Sequence, residues 1–192
     1  MSPRTEKQFK EIRETTKARI LNESIKLFAN NGYFSTSISM IAKKANISKG
    51  LMYNYFDSKD DLLKQIVYSG FKKMLIPVGF TKNELITKPT FNNMIHEMFK
   101  FFKQNVDYWK LYYSVLIQPT VFKLVEKKIF EMVMPYFEAL EKYFHSQGYE
   151  NPKAETRMFT AMLDGISLNY IMDSENFPID AIEKRLIDFY KK

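Results

Sequence analysis

Residues Lys49 to Asn54 carry side chains suited to reading the edges of DNA base pairs. A lysine donates hydrogen bonds to the acceptors of guanine, and an asparagine bridges the N6 and N7 groups of adenine. Leu51 suits contact with a thymine methyl group, and Gly50 permits close approach of the backbone. This segment therefore suggests sequence-specific contact in a major groove. Packing of Leu51 in the protein core is the alternative.

Two short helices and a tight turn are predicted to present this segment. Apolar residues at helical spacing indicate a helix from about Ile38 to Ala45, and the segment Asn46-Ile47-Ser48 indicates a tight turn. A second helix is expected over about 49–55, with Met52 and Phe56 on its inner side. Two helices joined by such a turn form a helix-turn-helix motif, whose second helix enters the DNA groove.

Two longer helices are expected to support this motif. The capping-box spacing of Thr5 and Gln8 predicts a first helix from about residue 6 to residue 30, where Gly32 and the asparagines before it end the pattern. A fourth helix is predicted from Lys59 to near Pro77, since carboxylates occupy its first turn and apolar residues recur behind them.

The string TSISMIAKKANISKGLMYNYFDSKDDL, residues 36–62, resembles the amino-terminal domain of the TetR/AcrR family of transcriptional regulators. The resemblance covers roughly residues 14–65. It implies an all-α homodimer with an amino-terminal DNA-binding domain and a divergent carboxy-terminal domain for ligand binding and dimerisation. The predicted domains are therefore residues 1–62 and residues 63–192.

The resemblance also implies which residues touch DNA. Positions 49–51 and 54 would read bases, whereas the hydroxyls of two tyrosines and the amino group of Lys59 would contact phosphates. Tyr55 as a core aromatic and Lys59 as a solvated lysine are the alternatives. The full predicted DNA-binding set is Thr36, Ser37, Ser39, Ser48, Lys49, Gly50, Leu51, Tyr53, Asn54, Tyr55 and Lys59.

Charge and composition agree with a nucleic-acid partner and argue against an enzyme. The net charge is +7, and residues 1–60 hold 11 Lys and Arg against 6 Asp and Glu. A basic bias at the motif is the footprint expected of a phosphate-binding surface. The chain has no cysteine, two histidines and six scattered glycines that form no phosphate-binding loop. We therefore expect no catalysis, no cofactor and no metal site.

The carboxy-terminal part is rich in aromatic residues and methionine, which suggests an apolar effector pocket. Seven aromatic residues fall between Phe99 and Tyr113. Methionine side chains adapt to irregular apolar ligands, so the expected effector is apolar or aromatic. Ordinary core packing is the alternative for each residue. The predicted pocket residues are Met98, Phe102, Trp109, Tyr112, Tyr113, Met134, Phe137 and Met162.

A helix predicted over residues 153–173 has two apolar faces. One face suits packing within a subunit, and the other requires a second partner. In the family that the chain resembles, the last two helices form a four-helix dimer interface, which makes a symmetric homodimer the natural interpretation. Burial of both faces within one subunit is the alternative. The predicted interface residues are Met158, Met162, Gly165, Asn169 and Met172.

The remaining pattern predicts about nine helices in all. A loop between domains is expected at Pro77 to Pro89, and one long helix is expected from Pro119 towards Phe144, with a kink caused by Pro135. No signal peptide or membrane-spanning run is seen, so a cytoplasmic protein is expected.

These features predict a ligand-responsive repressor. It would bind a palindromic operator in double-stranded DNA as a homodimer and be released by a small, largely apolar effector. The alternative is an interaction adaptor or coregulator that keeps the same fold and does not act through DNA.

Overall fold

The computed structural model of the protein describes residues 5–75 and 86–191, and most of these residues lie in helices. Neither range contains a strand, so the predicted all-α fold is confirmed. In these ranges there are ten helices where about nine were expected, and none is both long and apolar enough to cross a bilayer. They are α1 (Glu6–Asn31), α2 (Ile38–Lys44), α3 (Lys49–Met52), α4 (Lys59–Leu75), α5 (Lys88–Gln104), α6 (Val106–Leu116), α7 (Pro119–Phe122), α8 (Glu126–Ser146), α9 (Pro152–Met172) and α10 (Ile179–Phe189).

Local signals set both ends of α1, as predicted. The Thr5 hydroxyl accepts a hydrogen bond from the Gln8 amide at 3.3 Å, and the Gln8 side-chain oxygen accepts one from the Thr5 amide at 2.9 Å. This capping box satisfies two amides that otherwise lack a helical partner. At the other end, Gly32 adopts φ +81° and donates its amide to the Phe28 carbonyl at 2.9 Å.

Serine caps and a left-handed asparagine build the helix-turn-helix. The Ser37 hydroxyl caps α2, and the Ser48 hydroxyl caps α3 by accepting a hydrogen bond from the Leu51 amide at 3.1 Å. Between the helices, Asn46 has φ +53°, a conformation that asparagine tolerates better than most residues. The second helix is shorter than predicted, because it ends at Met52 and residues 53–55 form a turn.

The tenth helix arises because the helix expected from Pro119 to Phe144 is two helices. Pro119 begins α7 as predicted, but α7 ends at Phe122, and α8 begins only after Val125. Pro135 lies inside α8 as expected. The break falls where the chain passes from one compact unit to the other, at residues 124 and 125.

The chain forms two compact units whose boundaries differ from the predicted domains. One comprises residues 1–67 and 110–124, and the other comprises residues 68–109 and 125–192. The boundary therefore falls within α4, and α7 groups with the amino-terminal unit. The division at residue 62 remains a prediction. Most of the predicted loop at Pro77 to Pro89 lies outside the described residues, but Pro89 already belongs to the first turn of α5.

Each unit has its own apolar core. In the amino-terminal unit, the buried residues include Ile20 and Phe28 of α1, Ile41 of α2 and Met52 of α3. In the other unit, the Phe91 ring of α5 stacks on Tyr143 of α8, with ring centroids 4.5 Å apart. The rings of Phe144, Phe159 and Tyr190 complete that cluster. These cores hold α3 and the carboxy-terminal helices in place.

Candidate functional site

The side chains predicted to read bases lie on the exposed side of α3 and the turn after it. Lys49, Gly50 and Asn54 are exposed. Leu51 is 37% exposed, whereas its neighbour Met52 is almost completely buried. The core-packing alternative for Leu51 is therefore wrong. All four residues are thus exposed to solvent, three on α3 and one in the turn after it, and the opposite side of α3 is anchored in the core.

Gly50 is not required by the packing of the protein itself. A Cβ atom placed on Gly50 would have a single neighbour within the contact range, the Ser48 hydroxyl oxygen at 4.0 Å, and the φ angle of Gly50 is not left-handed. A glycine in a helix costs about 1 kcal/mol relative to alanine. Nothing in the described fold offsets that cost, which is consistent with close approach of another molecule to this surface.

Three predicted serines lie at or near the starts of the two helices. The hydroxyl oxygens of Ser37 and Ser48 accept capping hydrogen bonds from Met40 and Leu51, respectively. Ser39 is exposed in the first turn of α2. A capping hydroxyl still has its own proton to donate, so capping and phosphate binding are compatible.

Thr36 does not lie where the sequence analysis placed it. Its side chain is completely buried. The hydroxyl is within hydrogen-bond distance of two main-chain carbonyls, those of Gly32 at 2.9 Å and Leu27 at 3.2 Å. A phosphate outside the protein therefore has no access to this hydroxyl. The signal that misled the prediction is the adjacent Thr36 and Ser37 pair, in which only the serine is the exposed cap.

Lys59 acts inside the amino-terminal unit, so neither sequence interpretation describes it fully. Its amino group donates to the main-chain carbonyls of Tyr33 at 3.0 Å and Thr36 at 3.1 Å, and it lies 4.3 Å from the centroid of the Tyr33 ring. These contacts tie the start of α4 to the connection between α1 and α2. An ammonium group has three protons, so one remains for a phosphate.

The Tyr33 side chain reinforces the same connection. Its hydroxyl donates a hydrogen bond to a carboxylate oxygen of Asp60. Burial, followed by this hydrogen bond, raises the pKa of the Tyr33 hydroxyl, which therefore keeps the proton that it donates. Lys59 and Asp60, the first two residues of α4, thus both hold the loop before α2 by hydrogen bonds.

The two predicted phosphate-binding tyrosines differ in their surroundings. Tyr53 is exposed, whereas Tyr55 is half-buried, with its ring beneath the guanidinium of Arg13 at 5.1 Å. Sequence reasoning did not identify Arg13 as part of this region. Its position on α1, far from α3 in sequence, left no local signal.

An apolar pocket of about 120 Å³ lies within the carboxy-terminal unit, between the last turn of α4 and helices α5, α8 and α9. None of the described residues that line it is an Asp, Glu, Lys, Arg or His. The Thr160 hydroxyl donates back to the main chain of its own helix at 3.0 Å. The lining residues are Met74, Leu75, Met94, Met98, Val133, Tyr136, Phe137, Leu140, Phe159, Thr160 and Leu163.

Only Met98 and Phe137 of the eight predicted pocket residues line this pocket. Phe102 and Trp109 are buried against each other, with ring centroids 5.0 Å apart, and so fill core. The others lie elsewhere: Met134 is 41% exposed, Met162 lines a groove between α9 and α10, and Tyr112 and Tyr113 belong to the amino-terminal unit. Successive side chains of a helix point in different directions, so aromatic residues that are close in sequence do not all line the same pocket.

The second apolar face of α9 is exposed in the subunit. Met158 and Met172 are 44% and 78% exposed, and Gly165 and Asn169 are also exposed. The alternative that one subunit buries both faces is therefore wrong. A Cβ atom on Gly165 would meet nothing within 4 Å. A groove beside this face is lined by Met162, Gly165, Ile166, Asn169, Phe177, Ile182, Arg185, Leu186 and Phe189.

The fold and the exposed second helix define a helix-turn-helix protein of the all-α class. The family model described as bacterial regulatory proteins of the tetR family matches residues 20–66. The transcriptional regulator HbdR of Aromatoleum sp. (strain CIB) is 44% identical over 50 residues, which are 26% of this chain and 22% of HbdR. The chain belongs to the TetR family of transcriptional regulators.

Solved structures share the fold over nearly the whole chain. The fatty acid degradation regulator FadR from Bacillus halodurans has a TM-score of 0.75 at 20% identity, covering 91% of this chain and 93% of FadR. FadR from Bacillus subtilis in complex with stearoyl-CoA has a TM-score of 0.68 at 18% identity, covering 90% and 96%. By contrast, the matches to the first curated relatives span between 15% and 32% of those proteins' lengths.

The contacts of Lys59 predict a loss of stability when this side chain is removed. Lys59→Ala removes the hydrogen bonds that its amino group donates to the main-chain carbonyls of Tyr33 and Thr36, so the free energy of unfolding should fall by about 1–2 kcal/mol. Lys49→Ala removes an exposed lysine and should change stability by less than about 0.5 kcal/mol. Urea denaturation of the two variants and the parent measures both values. Equal stabilities for the two variants would contradict the role that the structure gives to Lys59.

Proposed function

We propose that this protein is a ligand-responsive repressor that binds a palindromic DNA operator as a homodimer. The observation that carries the proposal is the exposure of Lys49, Gly50 and Leu51 on α3 and of Asn54 in the turn after it, while the opposite side of α3 is anchored in the core. The three side chains suit the major groove, and the glycine permits close approach of the backbone. The revised set of DNA contacts keeps these residues with Ser37, Ser39, Ser48, Tyr53, Tyr55 and the remaining proton of Lys59.

Homodimerisation is supported by the exposed apolar face of α9 and by the groove between α9 and α10. Gly165 costs helix stability, yet no described neighbour requires its small size. Close approach of a helix from a second subunit would explain why this position is a glycine. A two-fold symmetric dimer would present two copies of α3, and their spacing would have to match successive major grooves, roughly 34–36 Å apart.

Control by an apolar effector is supported by the pocket and by the continuity of α4. The last turn of α4 supplies Met74 and Leu75 to the pocket, and its first turn contains Lys59, which holds the loop before α2. FadR from Bacillus subtilis, solved in complex with stearoyl-CoA, supports for this fold a ligand that includes a long apolar acyl chain. An effector changes operator affinity only if it binds two states of the protein unequally.

An adaptor that does not act through DNA is the competing function. The intact surface of α3 disfavours it, because an unused DNA surface has no need for an exposed glycine and lysine. The proposal includes no catalytic activity, since the relatives are named as transcriptional regulators. A regulator of this kind would act on DNA in the cytoplasm.

DNA binding can be tested with a duplex that the protein enriches from a randomised pool. Lys49→Ala should lose about 1–3 kcal/mol of preference at one base position. Gly50→Ala should raise the free energy of unfolding by up to about 1 kcal/mol while it weakens DNA binding, because the added methyl group favours the helix and obstructs the groove. Fluorescence anisotropy and urea denaturation give the two readouts. Failure to enrich any duplex at low salt would favour the adaptor.

The dimer can be tested at Gly165. Gly165→Arg should separate the two subunits, because it places a large charge without a partner in the contact, at a cost of several kcal/mol. His145→Arg, on the exposed end of α8, is the control and should leave the dimer intact. Sedimentation equilibrium of both variants measures the outcome. A monomeric parent at micromolar concentration would refute the dimer.

The pocket can be tested by filling it. Met98→Trp should abolish the rise in melting temperature that benzene-sized apolar compounds cause in the parent, since the pocket approaches the roughly 150 Å³ of an engineered cavity that binds benzene. Met134→Trp is the matched control, because Met134 is exposed outside the pocket. Stabilising compounds should also shift operator affinity roughly 5- to 150-fold. Compounds that stabilise both variants equally would place their binding site elsewhere.

A further inference from the structure

Two basic residues of α1 contact the segment immediately after the recognition helix. Arg13 donates a hydrogen bond from Nη2 to the main-chain carbonyl of Asn54 at 2.9 Å, and its guanidinium lies 5.1 Å from the Tyr55 ring centroid. Lys17 follows one turn later, with its amino group 5.7 Å from the centroid of the Phe56 ring. The contact of Arg13 is therefore bipartite, because it combines a main-chain hydrogen bond with a cation–π interaction.

The segment needs such support because α3 is very short. It contains four residues, and an isolated helix of that length is not stable in water. Asn54 and Tyr55 continue it only through main-chain bonds to residues three positions earlier, at 3.1 and 3.0 Å. Carbonyls at the end of a helix carry partial negative charge, so a cation that donates to one of them is favourable there.

We infer that Arg13 is a positioning residue that holds the recognition helix in its base-reading orientation and thereby sets the sequence specificity of the protein. The inference rests on the proposed DNA binding. Asn54 links the Arg13 contact to base reading. Arg13 donates a hydrogen bond to the Asn54 main chain, and the side chain of Asn54 is a predicted base reader. Bidentate contact with adenine requires both distance and angle to be correct, so a displaced main chain loses it.

The chemistry of this contact favours arginine over lysine. A guanidinium is planar, so it can stack on an aromatic ring and donate a hydrogen bond in its own plane. A lysine keeps the positive charge but offers a compact ammonium without that geometry. We call the combined contact of Arg13 with the Asn54 carbonyl and the Tyr55 ring the clamp. Arg13→Lys removes the clamp but keeps the positive charge, so it separates the two effects. Arg19→Ala is a charge-matched control, because Arg19 is also an exposed arginine of α1.

The clamp itself is tested without DNA. In Arg13→Ala, the amides of Asn54, Tyr55 and Phe56 should exchange with solvent about tenfold faster than in the parent, equivalent to about 1.4 kcal/mol of opening free energy. Amides in the middle of α1 should be unchanged, and Arg19→Ala should match the parent throughout. Hydrogen exchange measured by NMR resolves these residues. Unchanged exchange at residues 54–56 would overturn the inference whether or not the protein binds DNA.

The consequence for specificity is tested with an enriched duplex and a shuffled duplex of the same length. Arg13→Ala should reduce the ratio of the two affinities about tenfold, whereas binding to the shuffled duplex and the salt slope should stay close to those of Arg19→Ala. Arg13→Lys should resemble Arg13→Ala in this ratio.

The opposite pattern identifies a phosphate contact. In that case, Arg13→Ala would weaken both duplexes equally and reduce the salt slope by about one unit, and Arg13→Lys would restore binding. That result would overturn the positioning role. Failure of the parent to enrich a duplex would refute the proposed function, while the exchange measurement would still judge the clamp.

Discussion

The surface that we propose reads DNA depends on tertiary contacts that hold α3, a helix too short to be stable alone. The four residues of α3 are capped by Ser48 and anchored from beneath by buried Met52. Phe56, also buried, fixes the chain where it leaves this segment. Because nucleation of so short a helix is unfavourable, its geometry comes from α1, α2 and α4. Any change that loosens these helices should therefore affect DNA reading before it affects overall folding.

The first residues of α4 hold the connection before α2, the first helix of the helix-turn-helix, by tertiary contacts as well. Lys59 and Asp60 hold the Tyr33 main chain and side chain, and Thr36 completes the connection through buried hydrogen bonds. A buried donor or acceptor that loses its partner costs more than the bond contributes. The connection before α2 is consequently well ordered, and a displacement of α4 would be transmitted to α2 directly.

Two glycines in helices lie on the surfaces that we propose contact DNA and a second subunit. Gly50 and Gly165 have ample space around a hypothetical Cβ atom, and neither has a left-handed backbone. Each costs helix stability without a benefit inside the described subunit. This differs from Gly70 of α4, whose Cβ atom would overlap the Tyr108 ring, so that packing within the subunit explains the glycine. The first two therefore support the DNA surface and the dimer surface, respectively.

The sequence by itself determined the features that local chemistry controls. Helix caps, the turn at Asn46 and the exposed face of α3 follow from side chains within a few residues of each other, and the TetR motif lies in the same stretch. Tertiary structure decided what depends on residues far apart. Thr36 turned inward, Arg13 reached Asn54, and the pocket formed from four helices instead of from the aromatic run at 99–113. Such contacts arise when helices pack, and spacing along one helix does not encode which face its neighbour will cover.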